Sequence, residues 1–177
     1  MIHHFLESAD AVNIPIILYN VPGRTGCSIS EGAIKVLSKH PNIKGIKEAS
    51  GNISYAMNIA RYLNDDFVMY SGNDDMITPI MSLGGSGVIS VLANFAPQQS
   101  HDIVQSYLDG SPEKSLEIQL KYLDVIHALF CEVNPIPVKE AMNMMGKGVG
   151  GYRLPLFEMK DSNKAVLRAA LEEAGLL

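Results

Sequence analysis

The sequence predicts an α/β fold with a parallel sheet, and three observations carry that prediction. Short apolar runs recur four times, and a stretch with helical spacing of apolar residues follows each of them. The runs are apolar almost throughout, as strands are when both faces of a sheet are covered. Beyond Gly110 only helical spacing remains, so a helical tail follows the sheet.

Taken in order, Ile2 to Ala11 reads as the end of a helix with no cap ahead of it, and Ile14 to Val21 as a buried strand with Pro15 at its entrance. Pro22 to Gly26 reads as a loop. Ser30 is placed to cap a helix over Glu31 to Lys39, stopped before Pro41. The unit then repeats. Ile43 to Glu48 is a strand, Ser50-Gly51-Asn52 a loop and cap, and Ile53 to Leu63 a helix. Phe67 to Ser71 is a strand, Gly72-Asn73-Asp74 a loop, and Asp75 to Leu83 a short helix with Pro79 in its first turn or at a kink. Gly87 to Leu92 is a strand, Ala93 to Ala96 a loop, and Pro97 to Leu108 a helix ended by Gly110. Pro112 to Phe130 reads as one long helix with Leu116, Leu120, Leu123, Ile126 and Leu129 at helical spacing. Another helix runs from Asn134-Pro135 to Met145, a glycine-rich loop covers Gly146 to Gly151, and the last helix covers Ser162 to Ala174. An open doubly wound sheet and part of a (β/α)8 barrel both accommodate this order, and periodicity alone does not separate them.

Bulk composition limits the partners. The chain has 177 residues, 47% apolar and 19% charged, which suits a sizeable core and not disorder. A formal net charge of -5 without a basic stripe argues against nucleic acid. No apolar run is long enough to cross a bilayer and the N-terminus has no signal-peptide layout, so no membrane partner is expected. Cys27 and Cys131 suggest no disulfide framework, and a reducing, cytoplasmic setting is expected. His3, His4, His40, His101 and His127 show no metal spacing, so no metal is expected. Gly84-Gly85-Ser86-Gly87 lacks the dinucleotide fingerprint, and Gly146-Lys147-Gly148 is no phosphate loop.

The residues that could carry chemistry collect at the carboxyl ends of the first two strands, the edge where parallel α/β folds place their sites. Alternation puts Ile43, Gly45 and Lys47 on one face, an amine at the end of an apolar set. Burial disfavours an ammonium ion, and a neutral amine can attack a carbonyl to form a Schiff base. Tyr19 shares a face with Ile17 and Val21 at the equivalent place, where a phenol could move protons. Arg24 follows in a loop held by Pro22, Gly23 and Gly26, and its fork suits a carboxylate. Taken singly, each has a plainer reading: a solvated lysine, a core tyrosine, a solvated loop arginine. Together they describe an imine-forming enzyme acting on a keto acid. Gly72 lies where a ligand could approach the backbone, while Asp74 and Asp75 suit a helix start.

These same residues carry a family resemblance. Tyr19-Asn20-Val21-Pro22-Gly23-Arg24-Thr25-Gly26 and Gly45-Ile46-Lys47-Glu48-Ala49-Ser50-Gly51-Asn52 resemble signatures of the dihydrodipicolinate synthase (4-hydroxy-tetrahydrodipicolinate synthase) family. Gly84 to Val91, Asn134 to Lys139 and Arg153 to Leu156 resemble its later segments, in order, over essentially the whole chain. The resemblance implies a partial (β/α)8 (TIM) barrel: the fifth to eighth strands with their helices over 1–110, then a C-terminal helical region over 111–177. It implies that Lys47 forms a covalent imine with pyruvate, with no other cofactor, and that Tyr19 relays protons. It places Arg24 at the carboxylate of aspartate semialdehyde, and Gly72 and Ile89 in the pyruvate pocket. The implied reaction is aldol-type addition on the diaminopimelate route to lysine. The related N-acetylneuraminate lyases share the lysine and tyrosine, and Arg24 favours the synthase. The family has about as much chain again ahead of the position of Met1, carrying a threonine-rich loop and a second tyrosine. The resemblance thus implies a truncated chain of low or no activity alone, which associates as a homo-oligomer or with the missing N-terminal half. A non-catalytic half-barrel that self-associates is the alternative.

Overall fold

A computed structural model describes all 177 residues, Met1–Leu177. The chain forms two compact units, Met1–Ile89 and Ser90–Leu177.

The first unit contains helix α1 (Ile2–Asp10), strand β1 (Ile16–Asn20), helices α2 (Pro22–Thr25) and α3 (Glu31–Leu37), strand β2 (Ile43–Glu48), helix α4 (Ile53–Ala60), strand β3 (Val68–Ser71), a 3-10 turn (Asp74–Met76), helix α5 (Ile77–Ser82) and strand β4 (Gly87–Val88). The strands form one parallel sheet in the order β1-β2-β3-β4, as the repeated strand-then-helix pattern requires. Ser30 and Asn52 cap α3 and α4 as expected, accepting from Ala33 N–H at 3.2 Å and Tyr55 N–H at 3.0 Å. No side chain caps α1.

One face of the sheet carries the core. Leu18, Ile43, Ile46 and Met69 pack with Ile34, Leu37, Ile59 and Phe67, all buried. Ile43 belongs to this cluster, which corrects the alternation expected for β2. The register runs Ile16 to Ile43 and then Ile17 to Gly45, so Lys44 is an extra residue. This irregularity shifts the phase of β2. Ile43 joins Ile46 on the helix side, and Gly45 and Lys47 stand on the other. Lys44 itself is exposed to Asp66, 2.9 Å away.

Two more expectations change, and an open alternative closes. Pro22 to Thr25 forms a helical turn, closed where Gly26 adopts φ 69° and its N–H reaches Pro22 O at 2.9 Å. β4 stops at Val88, although Ile89 N–H still donates to Ser71 O at 2.9 Å. Pro79 sits in the first turn of α5.

The second unit opens with a 3-10 turn (Leu92–Asn94), followed by α6 (Pro97–Leu108), α7 (Pro112–Lys121), α8 (Leu123–Ala128), α9 (Ile136–Met144) and α10 (Asp161–Glu173). Ile126, Leu129, Ala141, Leu167 and Leu171 form its core. The expected single helix over Pro112 to Phe130 divides at Tyr122, whose ψ of 7° leaves the helical range. The break changes the phase of the apolar stripe. Ile126 and Leu129 are buried, but Leu116 and Leu120 are 43% and 55% exposed, and Ser115 and Gln119 face inward instead. No helix is long and apolar enough to cross a membrane.

Tyr55 ties α4 to the end of the loop after β1, donating its hydroxyl to Ile29 O at 2.6 Å. Burial, then the nearby Glu48 and Glu31, push its phenol above the ordinary 10.0. A raised pKa in the folded state adds stability that is complete below the unfolded value and fades as pH climbs past it. Tyr55→Phe should therefore cost about 1 kcal/mol near neutral pH. It should also lose less stability than the parent as pH rises above 10.0. Urea denaturation at neutral and alkaline pH reads both effects. Equal alkaline slopes would contradict the assignment.

Candidate active site

The two faces of the sheet are built differently. On the helix side Leu18, Ile46 and Met69 are buried. On the other side Ile17 is 39% exposed and Tyr19 45% exposed. Lys47 is half-buried on that open face. The register sets Tyr19 opposite Lys47, Lys47 opposite Tyr70, and Tyr70 opposite Gly87. Side chains at paired positions of a parallel sheet rise from the same face. The amine of Lys47 accordingly lies over the Tyr19 ring, 4.3 Å from its centroid, a cation–π distance.

Gly72 completes this contact set. Its N–H donates to Glu48 O at 2.7 Å, which carries the β2–β3 pairing past the end of β3. A Cβ at Gly72 would fall 2.6 Å from Ala49 Cβ and 3.1 Å from Lys47 Cγ. The absence of a side chain there lets the backbone pass beside the lysine stem.

The structure thus brings Tyr19, Lys47 and Gly72 together. Arg24 lies in the α2 turn directly after β1, exposed and in no ion pair, so its five donors are available to a ligand. Ile89 is exposed just past β4 and is tied to Ser71. Neither Arg24 nor Ile89 forms a hydrogen bond, ion pair or ring contact with Lys47 or Tyr19.

Two further residues belong to the arrangement that sequence reasoning passed over. Asn20 and Glu48 directly follow Tyr19 and Lys47 and are 1% and 4% exposed. Asn20 Nδ2 donates to Glu48 Oε2 at 2.8 Å, Asn20 Oδ1 accepts from Ile29 N–H at 3.0 Å, and Glu48 Oε1 accepts from Ser50 N–H at 2.7 Å. The available signal was a polar residue at the end of each apolar strand, on the face opposite the candidate pair.

A separate cavity of about 450 Å³ lies in the second unit, lined in part by Glu140, Asn143, Tyr152, Leu154, Phe157 and Lys164. Tyr152 donates its hydroxyl to Glu140 Oε2 at 3.2 Å, and burial followed by the Glu140 charge pushes its phenol up to about 12.

Known proteins align with the chain over nearly its full length. The sequence profile of the "Dihydrodipicolinate synthetase family" matches residues 1–174. The 4-hydroxy-tetrahydrodipicolinate synthase of Caldicellulosiruptor saccharolyticus is 58% identical over 176 residues, 99% of this chain and 59% of that relative. A dihydrodipicolinate synthase from Cyanidioschyzon merolae, solved with lysine bound, superposes with a TM-score of 0.94 at 41% identity, covering 99% of this chain and 60% of that one. The chloride-inhibited enzyme of Acinetobacter baumannii, solved with pyruvate, gives 0.95 at 38% identity, with 99% and 60% covered. The chain therefore spans less than two thirds of the length of the proteins it matches.

Gly72→Ala tests the close approach. The added methyl must displace Ala49 or the Lys47 stem, and overpacking of this kind costs about 1–3 kcal/mol. The expected result is a lower urea midpoint together with altered reactivity of the Lys47 amine. An unchanged midpoint with unchanged Lys47 labelling would show that the approach is looser than the geometry indicates.

Proposed function

We propose that this chain, which belongs to the dihydrodipicolinate synthetase family, carries the imine-forming lysine of a synthase that joins pyruvate to aspartate semialdehyde in lysine (diaminopimelate) biosynthesis. The observation that carries the reading is the Lys47 amine seated over the Tyr19 ring on the open face of the sheet. The pyruvate held by the solved Acinetobacter relative supports the substrate.

In the proposed reaction Lys47 Nζ attacks the ketone carbon of pyruvate, and loss of water gives the imine. Removal of a methyl proton converts the imine to an enamine. The enamine carbon adds to the aldehyde of the second substrate, forming the carbon–carbon bond, and the aldehyde oxygen takes up a proton. Cyclisation then releases Lys47. Tyr19 is the proton carrier for these transfers, and its hydroxyl is free of protein partners. Arg24 receives a carboxylate of aspartate semialdehyde in two-point contact, a role that favours this reading over a neuraminate-lyase-type aldolase. Gly72 and Ile89 line the space for pyruvate. The protonated imine is itself the electron sink, so the reaction needs no other cofactor.

The same reading makes β1–β4 the fifth to eighth strands of a (β/α)8 barrel over residues 1–110, with 111–177 as its helical region, in a cytoplasmic enzyme. Such a barrel has no sheet edge, whereas the present order leaves β1 and β4 outermost. The exposed Tyr19 and Ile89 lie toward the carboxyl end of this sheet, and the exposed Ile17 nearer its amino end. The remaining half of the barrel, or a second copy of the chain, is the proposed covering for those edges.

Incubating the chain with pyruvate and borohydride should add the reduced pyruvyl mass to the peptide bearing Lys47, and Lys47→Ala should abolish it. Absence of adduct, or an adduct elsewhere, would sink the assignment. Turnover of pyruvate with aspartate semialdehyde by the chain alone should be slight, and a normal enzyme rate would refute that expectation.

Light scattering should give a mass of at least two chains. A clean monomer at micromolar concentration would count against the proposed covering of the strand edges.

A further inference from the structure

We propose that the buried Asn20–Glu48 pair is a positioning device, fixing Tyr19, Lys47 and the loop that carries Arg24 relative to one another from the opposite face of the sheet. The inference rests on the roles proposed above for Lys47 and Tyr19.

The pair lies immediately after those two residues, and Asn20 and Glu48 are themselves register partners. Their three side-chain bonds reach three different segments. The 2.8 Å bond between them joins β1 to β2. The Ile29 N–H to Asn20 Oδ1 bond holds the far end of the loop containing Arg24. The Ser50 N–H to Glu48 Oε1 bond holds the turn after β2. Ile29 is held from its other side as well, since its carbonyl accepts from Tyr55. Backbone bonds continue the ladder over the same residues, from Ala49 N–H to Asn20 O at 2.9 Å and from Gly72 N–H to Glu48 O at 2.7 Å.

Apolar side chains at these two places would fill the same space without selecting an arrangement. The observed donors and acceptors select one. Glu48 can only accept, so Asn20 must turn its NH2 toward Glu48 and its oxygen toward Ile29. A buried polar network works in this way only if every member is matched, and a half-matched one disrupts its surroundings. Positioning matters for the proposed chemistry because a small misplacement of a reacting group costs far more in rate than in stability.

The matching suggests a swap. Asn20→Asp alone sets two carboxylates against each other. Glu48→Gln alone sets two NH2 groups together, and either amide can turn only by losing Ile29 N–H or Ser50 N–H. The double variant, Asn20→Asp with Glu48→Gln, restores the match. The new carboxylate on β1 accepts from Ile29 N–H and from the new amide on β2, and the oxygen of that amide still accepts from Ser50 N–H.

The parent, both single variants and the double variant are compared in two measurements. The first is the rate of borohydride-trapped pyruvate adduct at Lys47. The second is trace labelling of Lys47 with acetic anhydride across pH, with Lys44 on the same strand as internal reference. Each single variant should slow trapping about tenfold or more. It should also shift the Lys47 labelling profile while that of Lys44 stays in place, which general loosening of β2 would not do. The double variant should return both readouts to within about threefold of the parent. Singles that match the parent, or a folded double no better than the singles, would overturn the inference, as would a double that does not fold. If the singles fail to fold, a folded double with the parent's Lys47 profile supports it and one with an altered profile refutes it. If the parent forms no pyruvate adduct, the proposed reaction fails, and labelling still decides the positioning role.

Discussion

The parallel register between β1 and β2 is the constraint on which the candidate site depends. It pairs Tyr19 with Lys47 and Asn20 with Glu48. A slip of one residue would put each side chain on the wrong face. One slip is already built in at Lys44, where β2 holds an extra residue. That irregularity allows Ile43 and Ile46 both to enter the core while Lys47 reaches the open face. Without it, strict alternation would force a choice between burying Ile43 and placing the amine beside Tyr19.

The two faces divide the work between holding and acting. The helix side holds the strands through buried Leu18, Ile46, Met69 and Phe67. At the carboxyl edge it ends in the Asn20–Glu48 pair, where hydrogen bonds to a charged group contribute about 1.5–3 kcal/mol each. The contact on the open face, between Lys47 and the exposed ring of Tyr19, is worth about 0.5–1 kcal/mol. The weaker interaction is thus the one placed where a ligand must enter, and the stronger ones lie out of its way.

The four strand–helix units were legible in the sequence because their apolar runs are short, near-continuous and separated by caps that the structure uses, Ser30 and Asn52 among them. The adjacency of Tyr19 and Lys47 was legible from equivalent places on consecutive strands. What escaped depended on phase. Nothing in Ile43-Lys44-Gly45 marks an extra residue, so Ile43 was expected beside Lys47. Likewise Leu116 and Leu120 continue a helical period that Tyr122 interrupts, and the break places Ser115 and Gln119 inside instead. Asn20 and Glu48 were visible as letters of the two signatures. Their partnership was not, because it exists only once the register is set.

Glycines explain how an amine so close to a packed sheet stays open to a carbonyl compound. On its own face Lys47 follows Gly45, whose Cβ would fall 2.5 Å from Val68 O. Gly72 passes along its stem, and Gly87 occupies the row beyond Tyr70. Larger residues at Gly45 or Gly72 would push backbone or lysine aside, so the close approach of the strands and the space around the amine have a common origin. An imine-forming lysine needs both: strands near enough to fix its stem, and clearance for a carbonyl carbon and its substituents to reach the nitrogen. The side chains that define the site hold their places partly because two of their neighbours on the same face, Gly45 and Gly72, have none.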